Sequence, residues 1–142
     1  MDIPVNEKKE TINGKEFLVK KFDARTGSYI AFKLVKIITP ILSKLDKNSD
    51  FDNINYTELL EGLFDLPKEE FEFIQDSCLS SCYYILPGNT VQVLNENKEW
   101  GDPSLEYDTA LAMELTVKAL IFNVKGFFPE KLLDSIKEKL NS

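Results

Sequence analysis

Apolar residues recur along this chain at two different periods, and the changes between them mark out its elements. From Glu10 to Phe22 the period is two: Phe17, Val19 and Lys21 alternate with Leu18, Lys20 and Phe22. Asn13-Gly14 is the dipeptide that accepts positive φ at both centres of a type I′ turn, which predicts a hairpin over about residues 9–22. An isolated hairpin is marginal in water, so this one must lie on something else.

Beyond Phe22 the period lengthens to that of a helix. Ile30, Leu34, Ile37, Ile38, Ile41 and Leu45 make one broad apolar face, on a helix capped by Asp23 or Thr26. Pro40 inside it predicts a kink or a division into two helices. After a polar loop over residues 48–55, Asn55-Tyr-Thr-Glu58 has capping-box spacing and opens a second helix. Its apolar side is Tyr56, Leu59, Leu60, Leu63 and Phe64. Pro67 suits the first turn of a third helix, along which Phe71, Ile74, Cys78, Cys82 and Ile85 form one stripe.

Pro87-Gly88-Asn89 reads as a turn, and residues 90–94 alternate like a strand. Trp100, in a polar loop, covers the edge of the core or anchors a partner. Asp102-Pro103 opens a long helix to Val124 whose only polar stripe is Glu114, Lys118 and Lys125. A helix so widely apolar should be central. Gly126 reads as its left-handed cap, and Pro129 opens a last helix striped by Leu132, Leu133, Ile136 and Leu140. The predicted fold is mainly α: a compact bundle of about five helices with one or two short β-hairpins. With no linker and no repeat, it forms a single domain over residues 1–142.

Composition narrows the function. A chain of 142 residues, 43% hydrophobic and 11% aromatic, can bury a core without disulfides or metal. Seventeen basic against twenty-four acidic residues leave a net charge of -7, which repels phosphate backbones and anionic lipid. Neither nucleic acid nor membrane is therefore expected as a partner. Residues 77–95 are uncharged, but Pro87-Gly88-Asn89-Thr90 interrupts them, so a soluble protein is expected. The start lacks the basic and apolar pattern of a signal peptide.

Histidine is absent, which removes Ser-His and Cys-His nucleophiles and imidazole ligation. Cys78 and Cys82, placed on one helix face, read as buried core residues in a reducing cytoplasm; the alternative is a reactive thiol. Asp46, Asp50 and Asp52 lack calcium-loop spacing, and the six glycines form no phosphate loop. Glu69, Glu70 and Glu72 are explained by the dipole of a helix start, and Ser77, Ser80 and Ser81 have no histidine to activate them. Lys33, Lys36, Lys44 and Lys47 make either a basic patch or a solvated helix face; no aromatic residue interleaves for base stacking, which favours the latter. No enzyme, cofactor or metal is expected.

The order of these parts carries the remaining clue. An Asn-Gly hairpin runs into Lys21-Phe22-Asp23-Ala24-Arg25-Thr-Gly, then a Pro-bearing helix. The chain later ends a long helix on Asn123-Val-Lys-Gly-Phe127-Phe128. From about residue 10 to residue 140 this resembles the tail assembly chaperones of long-tailed phages and prophages. The resemblance implies a small acidic non-catalytic protein of the host cytoplasm, absent from the finished tail. It implies binding to the helical tape-measure protein and recruitment of tail-tube protein. Many such chaperones have a frameshifted longer form, and this chain would be the shorter one. Its client surface is then expected on Phe127, Leu132, Leu133, Ile136 and Leu140, which alternatively close the domain's own core; Phe128 is assigned to the core. Broad apolar helices also make a homo-oligomer plausible. The other readings are a tail or head-tail connector component that stays in the virion, and a small helical regulator using the lysine face.

Overall fold

Asn13 and Gly14 take φ of 51° and 81°, the positive values a type I′ turn requires, and the chain folds back on itself there. A computed structural model describes residues 6–43 and 56–127. In it β1 (Glu7–Ile12) pairs antiparallel with β2 (Lys15–Lys20), so the predicted hairpin is present. Asp23 then accepts hydrogen bonds from the Arg25 and Thr26 amides, both at 3.0 Å, and from the Thr26 hydroxyl at 2.7 Å. That cap starts α1 (Ala24–Ser43). Pro40 lies inside this helix, which is not divided.

Helices α2 (Tyr56–Phe64) and α3 (Lys68–Ser80) follow where the capping box and Pro67 place them. The expected continuation of α3 to Ile85 does not occur. Ser81 closes the helix: its amide donates to the Ser77 and Cys78 carbonyls, and its hydroxyl donates to the Cys78 carbonyl at 2.7 Å. Cys82–Leu86 is instead a strand, β3, joined by a turn to β4 (Asn89–Gln92). In β3, Tyr84 pairs with Phe17, Tyr83 with Leu18 and Cys82 with Val19. The order β1-β2-β3-β4 makes one antiparallel sheet.

The mainly α bundle of about five helices is thereby corrected. Among the described residues there are four α-helices and one four-stranded sheet, a mixed α/β fold. The physical reason lies in residues 82–86. A short apolar run has no period of its own and can continue a helical stripe or form a buried strand. Tyr-Tyr-Ile suits a pleat better than a helix. Pairing with β2 also supplies what the first hairpin lacked, since it turns two marginal ribbons into one sheet. The helix expected after Pro129 lies outside the described residues.

The last helix, α4 (Thr109–Phe127), begins six positions after Pro103 because Asp102 and Pro103 open only a short 3₁₀ turn (Pro103–Leu105). Asp108 makes the real cap, accepting from the Leu111 amide at 3.1 Å. Gly126 is not a cap; the helix runs past it to Phe127. As expected, α4 is central. It touches α1, α2, α3 and β2 and buries Leu111, Leu115, Val117, Ala119, Leu120, Ile121 and Val124. Phe17, at 0% exposure, stacks on Tyr84 at 5.1 Å and forms the sheet's side of the core with Val19, Cys82 and Val93. Trp100 bridges to Leu94 and packs against the core, as the edge-cover reading holds. Gly101 is needed there: its amide donates to the Val93 carbonyl at 3.0 Å, and a Cβ would collide with the Gln92 carbonyl oxygen.

Candidate functional site

Two places in this fold gather residues beyond what packing requires. The first joins the start of α1 to the end of α4. Asn123 is 4% exposed, a polar side chain in the core. Its Oδ1 accepts the Phe22 amide at 2.9 Å, and its Nδ2 donates to the Ala119 carbonyl one turn back at 2.8 Å. Alongside it, the Lys21 ammonium donates to the Phe122 carbonyl and sits 4.3 Å from the centre of the Phe122 ring. The Phe22-Asp23-Ala24-Arg25 segment and the Asn123 segment are about a hundred residues apart in sequence, and here they meet. A cleft of about 180 Å³ opens beside them, lined by Phe22, Asp23, Gly27 and Asn123 among others.

A larger groove, of about 560 Å³, runs between the β2–α1 junction and α3. The α3 wall is built at helical spacing: Glu69, Glu72, Phe73, Asp76 and Ser80 fall on one face. Opposite lie Lys20, Lys21, Phe22, Asp23 and Thr26. The Thr26 amide and hydroxyl hold the Asp23 carboxyl below the usual carboxylate range, so it is a fixed negative charge at neutral pH. Next to this groove a cleft between α1 and α3 is lined by Arg25, Thr26, Tyr29, Glu69, Glu70 and Phe73, and in it Tyr29 and Phe73 meet edge to face at 4.8 Å. Both remain exposed, at 42% and 44%, and Phe32, one turn further along α1, is 76% exposed. Lys33 forms an ion pair with Glu70 at 2.9 Å, a bond that raises the lysine above its ordinary range.

These aromatic residues belong to none of the apolar stripes of the sequence. Phe32 sits between Ile30 and Leu34, and Phe73 between Phe71 and Ile74, each out of phase with the buried face. A large aromatic off the stripe of an amphipathic helix was the available signal. Of the residues expected to meet a client, Phe127 ends α4 but its side chain lies outside the described residues. So do Leu132, Leu133, Ile136 and Leu140, as does Phe128, assigned to the core. Of the lysine face, Lys33 is paired and Lys36 is exposed, while Lys44 and Lys47 lie outside the described residues.

The thiols are core residues, as expected, though on different elements: Cys78 on α3 and Cys82 at the start of β3. Burial pushes Cys82 up to about 12 and raises Cys78 well above its ordinary value. Neither is a thiolate near neutrality, so neither is a nucleophile. Among the described residues, no group of three or more Cys, Asp or Glu is placed to hold a metal ion, and no helix is long and apolar enough to cross a membrane.

With this geometry in place the chain can be compared with known proteins. Residues 13–135 match the family model described as phage tail assembly chaperone protein. The match takes in the first hairpin's turn, all four helices and the whole Asn123 junction, and the chain belongs to that family. No curated protein and no solved structure matches it at a significant level.

Proposed function

We propose that this chain is a non-catalytic chaperone that works in the host cytoplasm. It binds the helical tape-measure protein and brings tail-tube protein to it. The observation that carries this reading is the family match over residues 13–135. The structure supplies physical support. A long helical client aggregates through its apolar stripe unless that stripe is covered, and an acidic partner with exposed aromatic groups can cover it while staying dispersed. With a net charge of -7 and Tyr29, Phe32 and Phe73 outside the core, this chain has both properties. The segment holding Leu132, Leu133, Ile136 and Leu140, together with Phe127, forms a second contact with the client.

The test is co-expression of the tagged chain with the tape-measure protein of its own tail gene cluster. A soluble complex is expected, and tape-measure protein that stays insoluble and unbound would refute the proposal. Mass spectrometry of purified particles addresses the alternative of a connector. The chaperone should be missing from the particle, whereas a connector would be present in fixed copy number.

A further inference from the structure

The acidic face of α3 and the exposed aromatics beside it act together. From their arrangement we infer that the α1–α3 groove is the docking site for a basic amphipathic helix, with an apolar stripe flanked by Lys or Arg. This deepens the proposed function, on which it rests, by stating the chemistry of the client segment that is held.

Three observations lead to this occupant. First, Tyr29 and Phe73 already touch at 4.8 Å yet leave more than two-fifths of each residue in water, and Phe32 extends the row along α1. An apolar row of this length, bordered by charge, matches an i, i+3, i+7 stripe laid along it. Second, Glu69, Glu72 and Asp76 share the face of α3 that carries Phe73, at the spacing that meets lysines one turn apart on a facing helix. Third, the acids of α3 already take ammonium groups from this chain. Lys68 lies 3.7 Å from Glu72 and Lys98 lies 3.6 Å from Asp76. Those lysines are 87% and 73% exposed, so their pairs are weak and an incoming cation can replace them at little cost. The opposite lysines are turned to other partners. Lys20 sits 4.3 Å over the Tyr83 ring, and Lys21 is held at the Phe122 carbonyl. On the α1 side Arg25 also lines the cleft, so the cationic flank of an incoming helix lies against the α3 carboxylates and its apolar stripe against the Tyr29 and Phe73 rings, whereas an acidic helix meets repulsion on the α3 side.

The experiment uses the full chain and two probes. One is a synthetic helix-forming peptide with a Leu/Phe stripe flanked by lysines; the other has glutamates in place of those lysines. Fluorescence anisotropy should detect the basic peptide and not the acidic one, and binding should weaken as salt rises. The double variant E69K/E72K and the variant Phe73→Ser should each weaken basic-peptide binding by about tenfold, the change expected from removing a central contact. The melt of E69K/E72K should match the parent because both side chains are exposed, and Phe73→Ser, which loses the Tyr29 ring contact, should still unfold cooperatively a few degrees lower. Equal binding of the two peptides, or no loss in either variant, overturns the assignment. Dimerisation of the parent that disappears in Phe73→Ser would mean a second copy sits in the groove, and also overturns it. Tape-measure capture by the same variants separates the two readings. Capture that survives groove mutation while the basic peptide fails to bind removes this inference and leaves the chaperone function standing. Capture that fails even in the parent removes the function, and the peptide result still decides the groove.

Discussion

Replacing Asn123 with alanine tests whether the contact between the two ends of the matched region is structural glue or incidental. Three hydrogen bonds are lost: the one accepted from the Phe22 amide at 2.9 Å, and those donated to the Ala119 carbonyl at 2.8 Å and the Lys20 carbonyl at 3.5 Å. They are not equivalent. The Ala119 carbonyl keeps the ordinary helical hydrogen bond from the residue-123 amide, so the loss falls on the β2–α1 junction, at the Phe22 amide and, through a longer bond, at the Lys20 carbonyl. Removing an acceptor from a half-buried amide costs about 1–3 kcal/mol, and the smaller side chain adds a slight cavity. A loss of about 2 kcal/mol is expected, which lowers the melting temperature by roughly 6–8 °C for a domain of this size. Urea denaturation followed by circular dichroism measures it, with the midpoint falling at unchanged slope. Thr116→Val is the matched control. Thr116 is 2% exposed, but its hydroxyl donates to the Ala112 carbonyl within its own helix at 2.7 Å. Its other partner among the described residues, the Gln75 amide group, is at 3.5 Å, so removing that hydroxyl orphans little. If Asn123→Ala costs no more than Thr116→Val, the reasoning about the junction fails.

Further outcomes follow from the core and the proposed surface. Gly101→Ala should destabilise the fold by about 1–3 kcal/mol in the same urea assay, since the new methyl group meets β4 backbone rather than a movable side chain. Native protein should resist thiol reagents at pH 8 and label fully only when unfolded, because both cysteines are buried and kept protonated. Cys82 also sets an alkaline limit: its folded pKa is raised to about 12 from 9.0, so the stability it contributes is complete below about pH 9 and is lost as pH rises towards 12. Between pH 8 and pH 10 this amounts to about 1.4 kcal/mol in total, and Cys82→Ala should remove that much of the stability lost between the two pH values. Replacing Leu133 and Ile136 with aspartate should abolish capture of the tape-measure protein with the circular dichroism spectrum intact. Melting of the domain instead would show that those residues belong to the core.

Much of this fold was legible where local chemistry and long-range packing agree. The Asn13-Gly14 turn, the Asp23 cap and the wide apolar face of α4 each state their geometry in a few residues, and all three are in place. Legibility failed where two local solutions were equally good. Cys82 and Ile85 continue the stripe of α3, and nothing within ten residues says that β2, some sixty positions earlier, is waiting for a partner. Asp102-Pro103 was misread for a related reason, because a 3₁₀ turn and an α-helix share the same opening residues. The family was readable from the Phe22 and Asn123 segments, and the match over residues 13–135 shows it. The aromatics on α1 and α3 are marked in the sequence only by falling out of phase with the apolar stripes, and their exposure depends on which face the neighbouring elements leave uncovered.

The pairing of Val19 with Cys82 has a kinetic consequence. Roughly sixty residues must be gathered into a loop before β2 and β3 can form their first rung, an entropic toll of about 4 kcal/mol that no local contact repays. Helices can flicker into being as the polypeptide leaves the ribosome, but the sheet has to wait for β3 to arrive. Maturation of this protein should therefore be paced by the zipping of two distant ribbons, slower than for an all-helical domain of equal length.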